Sequence, residues 1–416
     1  MFIGLFKNEN FNIVNNPKDA DIIVINTCGF IQSAKEEAIN TILEMAEYKN
    51  SYKCKYLIVT GCLVKRYKNE LKKALPEVDL YISVDEYDQM WNKIQELLKI
   101  DRKSKNTLDY IDRVVSTGNT TAYLKIAEGC SNNCTYCAIP AIRGPYKSRP
   151  MDAVLREAQR LAKQGYKELI VIAQDTTKYG IDLFGKPNLA ELLEKLCKID
   201  GIRWIRFLYA YPESITDELI EVVKNNEKIC NYFDIPIQHF SDKVLKRMNR
   251  KSDSHTIEDL INKLRLEIPD VIIRTTMIVG FPGETEDDFS KLLEFIKRAR
   301  FDKLGVFRYS KEDGTPASRL KDQIHYKTKQ KRWNIIMKEQ EKISKENLEC
   351  KIGNIYTVLI DDLSYDRKYY IGRSYMDIPD EDSVVYIKNN KSLNVGEFVQ
   401  CKIIDIRGYD LIGEII

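Results

Sequence analysis

No apolar run in these 416 residues reaches the roughly 18 positions that a membrane-spanning helix needs. The N-terminus, Met1-Phe2-Ile3-Gly4-Leu5-Phe6, lacks a basic flank and meets Lys7 and Glu9 too early for a secretion signal. Both absences predict a cytoplasmic protein with no membrane partner. An excess of one charge is missing too. Against 65 Lys and Arg stand 62 Asp and Glu, a formal +3, which argues against a chain whose main work is coating nucleic acid. Repeats and low-complexity tracts are absent, and no residue stands out as a general acid or base. The rest of the composition, 44% hydrophobic and 31% charged, suits a protein of two to four domains with a sizeable core.

Cysteine, by contrast, is plentiful. Ten thiols in a cytoplasmic chain call for an explanation other than disulfides. Cys54, Cys197, Cys230, Cys350 and Cys401 are scattered, and Cys197 and Cys230 read most simply as buried thiols. The other five, Cys28, Cys62, Cys130, Cys134 and Cys137, fall beside glycine or in one tight cluster.

From Thr121 onward, short apolar runs alternate with amphipathic stretches. Strands are expected at Ala122 to Ala127, Glu168 to Ala173, Ile202 to Tyr209, Tyr232 to Ile237, Val271 to Val279 and Lys303 to Tyr309. Helices are expected between them, including Met151 to Lys163, Leu189 to Ile199 and Asp217 to Lys224. Six such units imply a parallel sheet wound by right-handed crossovers into a full or partial barrel. The chemistry of such barrels lies on loops after the strands' carboxyl ends. Cys130, Gln174, Asp175, Tyr211, Gln238, His239 and Gly280 all fall there.

Before this region, residues 1–110 read as a smaller α/β unit whose best strands, Asp21 to Asn26 and Tyr56 to Thr60, run into Thr27-Cys28-Gly29 and Gly61-Cys62. Carboxyl ends of parallel strands share one sheet edge, so the two cysteines could face one site. Residues 350–416 hold five short β-branched and aromatic runs, as in a small OB-like barrel. A charged helix over His325 to Glu349 joins it to the central region, residues 115–345.

The cluster Cys130-Ser131-Asn132-Asn133-Cys134-Thr135-Tyr136-Cys137 is C-x3-C-x2-C, with no fourth cysteine near. Iron-sulfur clusters are normally held by four thiolates, so three leave one iron open. A structural zinc would want a nearby fourth Cys or His, and the closest histidine is His239.

This motif after the first strand of a parallel barrel resembles the radical SAM enzymes. In that family the open iron binds S-adenosylmethionine, whose reductive cleavage yields a 5′-deoxyadenosyl radical. Such chemistry reaches C–H bonds that have no accessible pKa for a general base. Arg143-Gly144 with Ser148-Arg149-Pro150, the Asn26-Thr27-Cys28 and Gly61-Cys62 pair and the terminal barrel together resemble the methylthiotransferases. Within them, Ala173-Gln174-Asp175-Thr176-Thr177, Tyr211-Pro212-Glu213-Ser214, Tyr232 to His239 and Tyr370-Ile371-Gly372-Arg373-Ser374 are similar to the RimO branch.

The resemblance implies an α/β fold: a partial (β/α)6 radical SAM barrel, an N-terminal flavodoxin-like domain and a C-terminal small β-barrel of the TRAM kind. It implies an enzyme that methylthiolates the β-carbon of an aspartate in small-subunit ribosomal protein twelve. S-adenosylmethionine then serves as methyl donor and radical source, and flavodoxin or ferredoxin as electron donor, with no stable nucleic-acid partner. The alternative is a tRNA adenosine methylthiotransferase of the MiaB type. Two 4Fe-4S clusters are implied, one on Cys130, Cys134 and Cys137, the other an auxiliary cluster using Cys28 and Cys62. Cofactor contacts are expected at Tyr136, Gln174, Asp175, Gln238, Arg274, Gly280 and Gly283. Tyr136 has ordinary loop packing as its alternative, Arg274 a core salt bridge, and His239 is either structural or a substrate contact.

The family's first N-terminal cysteine, in a glycine-cysteine turn after an opening strand, has no counterpart here. Cys54 sits at the wrong end of its strand, up to about 26 Å from Cys62 at ~3.3 Å per residue. The expectation is therefore that Met1 is internal and the natural start lies upstream. Charge bears on the branch: residues 351–416 carry eight Lys or Arg and eleven Asp or Glu. An acidic barrel suits a basic protein partner better than RNA.

Overall fold

The computed structural model describes residues 2–100, 110, 113–116, 118–389 and 392–416, which pack as two compact units. The first gathers the chain through Ser116 with the excursions Gly129–Pro145 and Ser310–Ser318. Its sheet is parallel in the order β1 (Ile22–Thr27), β2 (Tyr56–Gly61), β3 (Leu80–Ser83). The helices Gln32–Ser51 and Cys62–Ala74 carry the crossovers. One layer of core is Ile42, Leu57, Val59 and Leu63, with Cys54 buried among them. The other joins Ile58 and Ile82 to Leu5 and Phe6 of the N-terminal helix Phe2–Asn8 and to Trp91. Strand β1 has a strand partner on one side among the described residues.

The second unit holds six parallel strands in chain order. Strands β4 (Thr121–Lys125), β7 (Glu168–Ile172) and β8 (Trp204–Phe207) form one sheet. Strands β9 (Tyr232–Gln238), β10 (Ile272–Val279) and β11 (Lys303–Arg308) form another. The short antiparallel pair β5 (Ala127–Glu128) and β6 (Lys147–Ser148) forms the neck of the cysteine excursion. The expected single sheet is interrupted between β8 and β9, where one parallel bridge, Ile205 to Ile229, remains. The cause is local: Tyr209 turns left-handed at φ 60°, and its N–H donates to the Asp234 side chain at 3.0 Å instead of to a strand.

The terminal segment closes into a barrel in the order β12 (Ile355–Leu363), β13 (Tyr369–Arg373), β14 (Val385–Lys388), β16 (Asp410–Ile415), β15 (Phe398–Arg407). Its interior, Val358, Ile360, Val385, Cys401 and Ile403, is continuous with Trp204, Tyr232 and Ile272. Those three are the opening residues of β8, β9 and β10. The opening residues of β4, β7 and β11 are bound polarly: Thr121 and Glu168 by Arg373, Lys303 by Asp377 at 2.7 Å. The terminal barrel thus covers the amino ends of the parallel strands and leaves their carboxyl ends to the loops.

The side chains of Asp377 and Asp382 are buried against Lys303 and Arg274 of the parallel strands, and the exposed Glu381 also reaches Arg274. Two cations thus offset part of the segment's acidic excess, while its own Arg373 is drawn to Glu168 outside it.

Candidate functional site

In the first unit the cysteine loop leaves β5 through Gly129, at φ +76°. A Cβ there would lie 2.1 Å from the Pro145 carbonyl oxygen, so the loop's two ends approach as only glycine permits. The Cys130 N–H donates to the Gly144 carbonyl, and the Cys137 N–H to that of Cys134, which folds the segment back on itself. The Ala317 N–H clips it from outside at the Thr135 carbonyl, 2.9 Å away. Cys130 and Cys134 are buried and Cys137 half-buried, as is Tyr136.

Burial pushes the Cys137 thiol up to about 12, and the neighbouring Cys134 and Cys130 push the same way against the Ile139 N–H. Cys137 thus feels both other thiols of the loop, in a site of soft donors. No three His, Cys, Asp or Glu side chains among the described residues close on one metal ion. A four-iron cube needs its thiolates farther apart than a single ion does. The donor set fits a cluster held by three thiolates with one iron open.

At the sheet edge, Thr27 pairs with Gly61 and Gly61 with Ser83, so Cys28 and Cys62 leave adjacent strands at the same level. Gly61 is required there, since a Cβ would meet the Thr27 carbonyl at 2.3 Å. Cys28 is exposed. Cys62 opens the helix Cys62–Ala74, is buried with Phe30, Val84, Ala138 and Ile142, and accepts from Arg143 Nη2 at 3.2 Å. Arg143 closes the helix Ile139–Arg143 that follows the cysteine loop, so one short segment serves both sulfur sites. Two thiols fall short of the three that the resemblance implies for the auxiliary cluster. That donor set does not by itself fit the group.

Sequence reasoning missed a buried tie nearby. Lys35 reaches Glu312 at 3.2 Å, and Arg66 bonds the Gly29 carbonyl at 2.7 Å and Asp313 at its carbonyl. Lys35 and Glu312 lie 277 positions apart in the chain, which no periodicity reports.

In the second unit the carboxyl ends gather Gln174, Gln238 and the turn Gly280–Gly283. Gln174 donates to Glu128 at 3.3 Å, while its Oε1 is buried without a partner among the described residues, an acceptor suited to a ligand's N–H or O–H. Gln238 adopts φ 75°, a strained value for a side-chain-bearing residue. Glu284 organises the turn: its Oε2 accepts from the Phe281 N–H at 2.9 Å and from that of Gly280, and Arg332 holds Oε1 at 2.9 Å. Burial lifts this carboxyl to about 7, against the pull of Arg332 and the two N–H groups. Thr285 caps the next helix, accepting from the Asp288 N–H, as its place in the sequence suggests.

His239 is fully buried, its imidazole pushed down to about 3 by burial. Nδ1 accepts from the Ser241 N–H at 3.0 Å, so Nε2 carries the proton and faces Glu284 at 4.0 Å. That is its structural alternative. Asp175 is enclosed too, bonded by Thr177 at 2.6 Å with Lys178 at 3.8 Å. Arg274 is committed to Glu381, Asp234 and Asp382. Both side chains are thus engaged by neighbouring protein groups.

Comparison with known proteins follows the same divisions. The family model "Radical SAM superfamily" matches residues 124–296, "Uncharacterized protein family UPF0004" residues 1–83, and "TRAM domain" residues 352–416. A protein of Alkaliphilus oremlandii named ribosomal protein uS12 methylthiotransferase RimO is 65% identical over 99% of this chain and 94% of its own. Proteins of the same name are 51% identical in Clostridium botulinum (99% and 94% covered) and 49% in Clostridioides difficile (100% and 95%). Among solved structures, the radical S-adenosylmethionine methyltransferase TsrM of Kitasatospora setae matches 71% of this chain and 65% of its own. Its TM-score is 0.56 and its identity 13%, a likeness of fold alone.

Proposed function

The chain belongs to the RimO family of radical SAM methylthiotransferases, and from that premise we propose that it acts in the cytoplasm on ribosomal protein uS12, replacing a β-hydrogen of one aspartate with a methylthio group. The observation that carries the reading is the 65% identity, over nearly the whole length of both chains, to a protein of that name. We assign residues 1–110 to the auxiliary-cluster domain, 115–345 to the radical SAM domain and 350–416 to the TRAM domain. Flavodoxin or ferredoxin is the proposed electron source.

Cys130, Cys134 and Cys137 would hold the 4Fe-4S cluster. Their burial excludes water, and Gly129 and the Ala317 clip hold the loop that carries them. When bound there, S-adenosylmethionine supplies hydrogen-abstracting power and the methyl group. Tyr136 is assigned to the adenine by resemblance. Gln174, with its unmatched Oε1, Gln238, Gly280 and Gly283 are further proposed cofactor contacts by the same resemblance, and Glu284 keeps the Gly280–Gly283 turn in one conformation through two backbone N–H groups. Cys28 and Cys62 are the proposed ligands for sulfur delivery, with Arg143 holding the Cys62 sulfur; no step is drawn through a second cluster.

Mass spectrometry of uS12 and of tRNA from a strain lacking this gene tests the reading. The aspartate should lose its methylthio group while tRNA adenosines keep theirs; loss from tRNA instead would assign the chain to the other branch.

A further inference from the structure

A cavity of about 510 Å³ lies between β10, β11, the helix Tyr326–Glu349 and the terminal barrel. Its polar wall is rich in acceptors. Five carboxylates, Asp302, Asp377, Glu381, Asp382 and Asp410, line it against three cations, Arg274, Lys303 and Lys351. Arg274 and Lys303 are already matched by Glu381, Asp382 and Asp377. Asp302 lies against β10, where it accepts the Ile273 N–H at 3.0 Å.

Gln340 supplies an independent sign. It is only 4% exposed, and its Nε2 donates to the Phe301 carbonyl at 2.9 Å. That bond fixes the amide's orientation, because the flipped amide would set two oxygens against each other. Its Oε1 is then buried with no donor among the described residues. Native interiors rarely keep such an orphan without a purpose.

We propose that this cavity receives an arginine side chain of the protein substrate, whose positive charge and fork of N–H donors complement the wall's excess of carboxylates over cations. The inference rests on the reading of a ribosomal protein as substrate and names how the enzyme grips it. The distance is suitable. Thr276 lines the cavity, and four residues of β10 lead from it to Gly280, about 13 Å at ~3.3 Å per residue. An extended substrate segment covers that span in about four residues, so the anchoring arginine lies near the target aspartate in sequence.

The test uses the whole reconstituted protein with L-argininamide as probe in a calorimetric titration. The wild type is expected to bind it, Asp302→Asn and Gln340→Met to bind it at least tenfold more weakly, and Lys351→Glu, which adds a carboxylate to the wall, to bind it more tightly. Prior addition of uS12 should abolish the signal. No binding by the wild type, or equal affinity in all four proteins, overturns the site; argininamide binding that uS12 does not displace overturns the occupant. Failure of the substrate reading is distinguishable, because it leaves uS12 unmodified in a methylthiolation assay while the argininamide titration still reports on the cavity.

Discussion

His239 shows what a single residue's setting does to stability. An unfolded imidazole binds a proton below about 6.5, whereas the buried one refuses it until about 3. Between those values the unfolded state holds more protons, so stability falls as pH drops, by roughly 1.4 kcal/mol per pH unit. Glu284, lifted from 4.5 to about 7, works oppositely: its folded form keeps a proton that the unfolded form has lost, so its contribution grows as pH falls from 7 to 4.5. Asn at position 239 retains an acceptor for the Ser241 N–H and removes the titration. Urea unfolding at pH 7.5 and 5.5 should show His239→Asn gaining about 1 kcal/mol on the wild type at the lower pH. A gap that does not change with pH would refute the assignment. At the cysteines, Cys134→Ser should lose the iron that the loop holds and produce no 5′-deoxyadenosine, while Cys350→Ser, at an exposed site outside the loop, keeps both. Iron analysis after anaerobic reconstitution reads the difference.

Among elements, the first strands of the parallel sheets depend on one buried carboxylate. Glu168 lies between Arg206 and Arg373, each at 2.9 Å; burial alone would raise its pKa, and the two guanidiniums more than offset that and hold it below its usual range. Glu168→Gln leaves two buried cations short of a counter-charge and should cost about 3–5 kcal/mol. Glu294→Gln, in an exposed pair with Lys297, should leave the melting temperature unchanged. A small loss at Glu168 would mean that the terminal barrel does not depend on this tie. Gly129→Ala should likewise disorder the cysteine loop, seen as iron lost on reconstitution without loss of helical signal.

The elements themselves were largely legible in the sequence, because burial on one face writes a period of two or 3.6 that survives in any single chain. The helix Met151–Lys163, the six parallel strands and the five strands of the terminal barrel follow that signal, whereas the two-residue pair β5 and β6 was not read. Strand β3 did not stand out, since its short run is hemmed in between Asp79 and Asp85, whereas the four residues of β8 lie within the longer run Ile202 to Tyr209. The cysteine loop was legible because its spacing is local. Lys35 with Glu312, Arg274 with Glu381 and Arg143 with Cys62 were not, because each pair joins distant segments and leaves no periodic trace.

At the scale of the second unit, one hydrophobic core runs from β7–β10 into the terminal barrel, so neither part closes its core alone. A chain ending at Glu349 should therefore expose that core and aggregate, as light scattering would show; a monomeric, cooperatively melting product would contradict the shared core. The same arrangement puts the terminal barrel at the amino ends of the strands, away from the loops that carry the chemistry, and leaves it to shape one wall of the cavity assigned to substrate. The central claim is that this chain methylthiolates uS12. Its most direct measurement is the mass of uS12 after anaerobic incubation with the reconstituted protein, S-adenosylmethionine, a reductant and a sulfide source. The account predicts a methylthio group in place of one hydrogen, mapped to a single aspartate and lost with Cys134→Ser; unmodified uS12 alongside steady release of 5′-deoxyadenosine would contradict it.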